Sequence, residues 1–229
     1  MTLARHDLLL VRPECWAGVL ARAHRAGWQP GAPALQPQAR KLVAGWAEQG
    51  WPVIVRRLAA CETSPLIAVG LPLPPSLGKQ RIALEVAPQE VLDSLAGVHL
   101  GREIGSLPPR LAPQLGDVLD LAHACGVAPR IFGALLWQHL TGLEYVHGGS
   151  DIDLLWPLGE ATDRNRLLGG LTAIDETGPA RIDGEILLAS GRAVNWRELR
   201  DGLVAGAEGT VMVKTLEGVR LECLQTLFN

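Results

Sequence analysis

Phenylalanine and tyrosine are almost missing from this chain. Two Phe and one Tyr in 229 residues leave seven Trp to supply the aromatic bulk of a core, although hydrophobic residues make up 48% of the total. Cysteine is equally sparse. Cys15, Cys61, Cys125 and Cys223 are widely scattered and show no C-x-x-C spacing, which excludes a zinc ribbon or a disulfide scaffold and predicts reduced thiols in a cytoplasm. No long apolar run occurs. The stretch Leu66 to Leu77 is broken by Pro and Gly and falls short of the roughly 18 residues needed to cross a bilayer, so no membrane role is expected. The opening residues lack a basic-then-apolar leader, since Asp7 interrupts them, and this again predicts a cytoplasmic protein. There is no basic excess either. A net charge of −3 argues against nucleic-acid binding by bulk electrostatics. No internal repeat or low-complexity tract appears.

The chain does contain a pair of carboxylates in an unusual place. Asp151 and Asp153 lie in Gly148-Gly149-Ser150-Asp151-Ile152-Asp153-Leu154-Leu155-Trp156. If this apolar run is a strand, side chains alternate and both acids project from one face, while Ile152 and Leu154 enter a core. Like charges held so close resist ionisation. A divalent cation offsets the repulsion, and Mg²⁺ characteristically takes one or two carboxylates together with substrate phosphate. The chemistry expected from such a pair is metal-assisted displacement at phosphorus. Upstream, Arg130 to Gly142 reads as a short strand, a turn at Gly133-Ala134 and a helix stopped by Gly142.

Strand, small-residue turn, helix, then a strand carrying Ser-Asp-Ile-Asp-Leu-Leu resembles the DNA polymerase beta-type nucleotidyltransferases. The resemblance narrows further. Arg130 to Trp156, Arg181-Ile182-Asp183-Gly184-Glu185-Ile186 and Ala193-Val194-Asn195-Trp196-Arg197-Glu198-Leu199 look like the malonate decarboxylase holo-acyl-carrier-protein synthases. Arg5 to Leu9 and Gly70 to Ile82 fit the same family of phosphoribosyl-dephospho-CoA transferases.

That resemblance implies a reaction and a set of site residues. The reaction would move a phosphoribosyl-dephospho-CoA group from triphosphoribosyl-dephospho-CoA to a serine of the malonate decarboxylase acyl carrier protein, releasing pyrophosphate. Asp151, Asp153 and Asp183 would hold Mg²⁺, with Asp183 also orienting the attacking hydroxyl and Glu185 the fallback for that position. Gly133 and Ala134 would cradle phosphate through backbone N–H groups at a helix N-terminus, helped by Arg130, Ser150 and Lys214. The family has Gly-Ser where this chain has Gly133-Ala134, so a hydroxyl is missing there. Two further readings stay open: a nucleotidyltransferase that moves a nucleotide onto a small molecule or protein, and a non-catalytic carrier-binding module.

The expected fold is α+β: a nucleotidyltransferase-like mixed sheet with helices over residues 108–229, preceded by a smaller strand-rich domain over 1–107. The boundary is placed at Leu107-Pro108-Pro109-Arg110. In the first part, helix is expected from Trp16 to Ala26, loop from Gln29 to Gln38, strands over Pro52–Arg57, Leu66–Val69 and Arg81–Val86, and helix over Pro88–Leu95. In the second, helices are expected over Gly116–Ala124 and Thr162–Ile174, a strand over Ala180–Leu188, a turn at Ser190-Gly191 and a last strand over Val211–Lys214. Asn195, followed three residues later by Glu198, reads as a helix cap. His147 precedes the acid strand, but a loop His is ordinarily a solvated or hydrogen-bonding group.

Overall fold

A computed structural model describes residues 3–25, 34–58, 65–95, 97–101, 108–188, 191–206 and 209–228, with the side chains of His24 and Arg25 set aside. The expected end of the first helix at Ala26-Gly27, the first half of the loop after it, Cys61, Leu107 and Ser190 lie outside the described residues. The chain divides into two compact units, 1–97 with 216–218, and 98–215 with 219–229. The α+β class expected from the sequence is what the chain adopts.

The first unit carries β1 (Leu8–Val11), α1 (Pro13–Arg25), α2 (Pro37–Ala44), β2 (Val53–Val55), β3 (Ile67–Pro72), β4 (Arg81–Val86) and β5 (Val91–Leu95). Its strands form an antiparallel sheet in the order β4-β3-β2-β1-β5. The helix expected over Pro88–Leu95 is not there. One 3₁₀ turn at Pro88–Glu90 leads straight into β5, which pairs with β1. Long-range pairing overrides a weak local preference at this point. A second unexpected element, α2, opens on Pro37 at its first position, where the missing N–H costs nothing. Indole N–H groups end on backbone carbonyls: Trp16 donates to Val43 and Trp46 to Pro52, so burying these rings leaves no orphaned donor.

The second unit contains α3 (Ala112–Ala124), β6 (Arg130–Ile131), α4 (Gly133–Thr141), β7 (Ile152–Pro157), α5 (Arg164–Thr177), β8 (Ile182–Leu187), β9 (Ala193–Asn195), α6 (Trp196–Ala205), β10 (Thr210–Lys214), β11 (Val219–Cys223) and the short α7 (Leu224–Leu227). Among the described residues its sheet runs β11-β10-β9-β8-β7-β6, parallel only between β7 and β8. The strand expected to be last, at Lys214, is followed by β11, which closes a hairpin on it. Alternation sorts the sheet into two faces. Ile152, Leu154, Trp156, Ile182, Ile186, Val194, Val211 and Val213 are buried on one. Helix α6 packs there closely enough that a Cβ on Gly202 would touch Val211 and Leu224. The opposite face carries Asp153, Asp183, Glu185, Asn195 and Lys214.

Candidate active site

Asp153 and Asp183 are ladder partners. The register of the parallel β7–β8 pair sets Ile152 against Ile182, Asp153 against Asp183 and Leu154 against Gly184, so the two carboxylates leave adjacent strands on one face. Gly184 makes the close approach possible. Its φ is +141°, and a Cβ there would lie 1.8 Å from the carbonyl oxygen of Leu154. No side chain fits between the strands at that level.

The turn after β6 lies over Asp153. Phe132 donates its N–H to the Asp153 carbonyl at 3.0 Å. Gly133 follows with φ +58°, and a Cβ on it would sit 2.0 Å from Asp153 Oδ2. Helix α4 starts at this residue with no side-chain hydrogen bond at its N-cap. Its first N–H groups therefore open next to a carboxylate, where backbone donors for an anion lie beside an acid that could hold a cation. The helix ends as expected, at Gly142 with φ +70°.

Asp183 is held tightly on one oxygen. Its Oδ1 accepts from Gly184 N at 2.8 Å and from Asn195 Nδ2 at 3.1 Å, with Arg197 Nη1 3.9 Å away. Asp151 stands just before β7 and faces Arg181 at 3.7 Å. Both of those side chains are more than a third exposed, so the pair contributes little to stability. Among the described residues no group of three or more His, Cys, Asp or Glu forms a ready metal cage. The neighbouring Asp153 and Asp183 nonetheless match what Mg²⁺ ordinarily takes from a protein, one or two carboxylates with the remaining positions left to water and phosphate. The donor set fits the metal.

The remaining expected site residues divide into a free one and two engaged ones. Arg130 lies opposite Leu155 in the β6–β7 ladder, which puts it on the acid face, and among the described residues its guanidinium has no hydrogen-bond or ion-pair partner. Lys214 Nζ donates to Glu185 Oε1 at 2.9 Å, and the Glu185 side chain is only 9% exposed. Glu185 is thus bound to a cation further along the face from Asp183. Ser150 is buried, and its Oγ accepts the His147 N–H at 2.9 Å, while His147 Nδ1 accepts from Gly149. The hydroxyl and the imidazole both shape the turn that leads into β7.

The sequence alone identifies Asn195 as a cap and nothing more. It does cap α6, accepting from the N–H groups of Arg197 at 2.9 Å and Glu198 at 3.5 Å. Glu198 turns to the Met212 N–H instead. The contact between Asn195 and Asp183 spans a strand reversal and has no local sequence signal.

Comparison with known proteins decides the family. The sequence model described as the phosphoribosyl-dephospho-CoA transferase MdcG C-terminal domain matches residues 94–223, and that of its N-terminal domain matches residues 4–96. The chain belongs to the phosphoribosyl-dephospho-CoA transferase family. Membership makes it a transferase. A phosphoribosyl-dephospho-CoA transferase of Bradyrhizobium diazoefficiens is 38% identical over 218 residues, covering 95% of this chain and 88% of the relative. One from Xanthomonas campestris pv. campestris is 38% identical over 195 residues, 85% of this chain and 89% of its own length. A third, from Pseudomonas putida, is 32% identical over 207 residues, covering 87% and 92%. No solved structure matches the chain significantly. The two family matches meet at residues 94–96, close to the division between the compact units after Gly97 and ahead of the expected boundary at 107. No helix among the described residues is long and apolar enough to cross a membrane.

Proposed function

We propose that this chain transfers the phosphoribosyl-dephospho-CoA group of triphosphoribosyl-dephospho-CoA to a serine of the malonate decarboxylase acyl carrier protein, with release of pyrophosphate. The observation that carries the reading is the Asp153–Asp183 ladder pair beneath the Gly133 turn, in a chain matched along both halves by this family. Asp153 and Asp183, with Asp151 at the outer edge, would hold Mg²⁺, which when bound neutralises charge on the triphosphate.

The protein's own groups do the rest. The N–H groups of Gly133 and Ala134 donate to a phosphate oxygen at the start of α4. Arg130 pairs with the outer phosphates. Asp183 Oδ2 accepts a hydrogen bond from the serine hydroxyl and aligns it. The serine Oγ then bonds to the phosphorus nearest the ribose as the bond to pyrophosphate breaks, and the hydroxyl proton leaves through the carboxylate. Ser150 and Lys214 act at one remove, by holding the turn and the Glu185 end of the face. The reaction belongs in the cytoplasm, a placement supported by the free thiols of Cys15, Cys125 and Cys223.

The test is the mass of the carrier protein after incubation with this chain, Mg²⁺ and triphosphoribosyl-dephospho-CoA, with a serine-to-alanine carrier as control. A gain equal to the prosthetic group, absent in the control, is expected. An adduct formed from ATP and not from the triphosphoribosyl donor would replace this reading with that of a nucleotidyltransferase.

A further inference from the structure

We infer that Asn195 is a positioning residue for Asp183, and that capping α6 is the means by which its amide is aimed. The inference rests on the proposed role of Asp183. The side chain of Asn195 has one acceptor and two N–H donors. Its Oδ1 is committed to the first N–H groups of α6, those of Arg197 and Glu198. The amide cannot flip without placing its NH₂ against those donors and losing the cap. Nδ2 is therefore turned across the sheet to Asp183 Oδ1, 3.1 Å away.

The register allows this reach. Asn195 lies opposite Glu185, one step along the face from Asp183, and across that diagonal its amide meets the carboxylate at hydrogen-bond distance. With the Gly184 N–H also on Oδ1, both lone pairs of that oxygen are used. Oδ2 takes no hydrogen bond among the described residues, and it is the oxygen left to work beside Asp153. The peptide of Ile182, next to Asp183, is pinned as well. Its N–H goes to Asp175, and its carbonyl accepts from both Arg197 and the Trp196 indole. The same helix start thus fixes the strand and orients the acid.

Capping and positioning can be separated, because Ser and Asp cap as well as Asn whereas Ala does not. Asn195→Ser keeps the cap but cannot reach Asp183. Asn195→Asp keeps the cap and replaces the donor with a like charge. Three measurements are made on the full chain: melting temperature, affinity for Mn²⁺ alone by electron paramagnetic resonance, and carrier-modification kinetics. Asn195→Ser should melt near wild type, lose about ten- to a hundredfold in kcat and in Mn²⁺ affinity, and leave KM for the donor little changed. Asn195→Asp should lose at least as much kcat with its melting temperature equally preserved. Wild-type kcat and Mn²⁺ affinity in Asn195→Ser would overturn the proposal. So would losses in Asn195→Ser that track a fall in melting temperature and match those of Asn195→Ala. If wild-type chain leaves the carrier unmodified, the proposed function fails, while Mn²⁺ affinity still reads the positioning.

Discussion

Asp183 and Glu185 sit two residues apart on one strand face, yet their surroundings assign them different work. Asp183 is about a third exposed and keeps one oxygen unclaimed. Glu185 is nearly buried and locked to Lys214. Asp183→Asn should lower transfer by about 10²–10⁴-fold, the range for losing a positioned acid–base group, with donor affinity by calorimetry falling much less. Asp153→Asn should weaken donor binding in the presence of Mg²⁺ as well as slow transfer, and both variants should melt near wild type. Glu185→Gln strands an ammonium that is only a quarter exposed, so its penalty falls on folding, roughly 3 kcal/mol. Denaturant melts of the three variants separate these roles. A Glu185→Gln protein that is fully stable but inactive would exchange the assignments of the two acids.

The same contrast shows how far the sequence could be read. The place of Asp153, on the face opposite Ile152 and Leu154, derives from period-two alternation within one apolar run, whereas Asp151 stands before the strand and faces Arg181. The Lys214 partner of Glu185 lies 29 residues away and across β9, and nothing local announces it. At the scale of elements, the strand–turn–helix–strand order was legible because Gly133 and Gly142 punctuate it and both take positive φ. The start of α5 was legible for a similar reason, since Asp163 accepts the Arg166 N–H as its cap. Strands β5 and β11 were not. Each is an edge strand with mostly exposed residues: β5 carries little apolar alternation, β11 alternates as Val219-Arg220-Leu221-Glu222-Cys223 but over five residues only, and the identity of both comes from the partner each pairs with. Two glycines test the element geometry. Gly184→Ala puts a methyl into the Leu154 carbonyl and should cost about 3 kcal/mol or more, read as a fall in urea midpoint. Gly133→Ala loses roughly 1–2 kcal/mol to its left-handed φ and also displaces the Asp153 carboxylate, so transfer should fall by more than stability does. Ala134→Ser, by contrast, adds a hydroxyl at the open start of α4 and should hold or tighten donor binding by about 0.5–1.5 kcal/mol. A large loss of donor affinity in that variant would mean the phosphate does not sit at this turn.

At the scale of the whole molecule, every residue placed at the site belongs to the second unit, whereas the clearest acid-sensitive element belongs to the first. Glu90, on the turn between β4 and β5, receives Arg22 of α1 on both carboxylate oxygens and the Ala87 N–H at 2.8 Å. Burial alone would raise its pKa. The Arg22 hydrogen bonds and the Ala87 N–H outweigh burial, and the carboxyl titrates below its ordinary value of 4.5. A carboxylate whose folded pKa is depressed adds stability that is fully present above the unfolded value and is lost as pH falls through the folded one. The pair ties α1 to the edge of the β4 strand, where Arg22 also donates to the Glu85 carbonyl. Glu90→Gln should therefore destabilise the first unit by roughly 2 kcal/mol at pH 7, the scale of hydrogen bonds to a charged group. The difference from wild type should shrink steadily below about pH 4.5, as the wild-type carboxyl takes up its proton. Chemical denaturation of both proteins at pH 7, 5, 4 and 3, followed by tryptophan fluorescence, measures it. A difference that stays constant down to pH 3 would show that Glu90 contributes shape and hydrogen bonding but no charge.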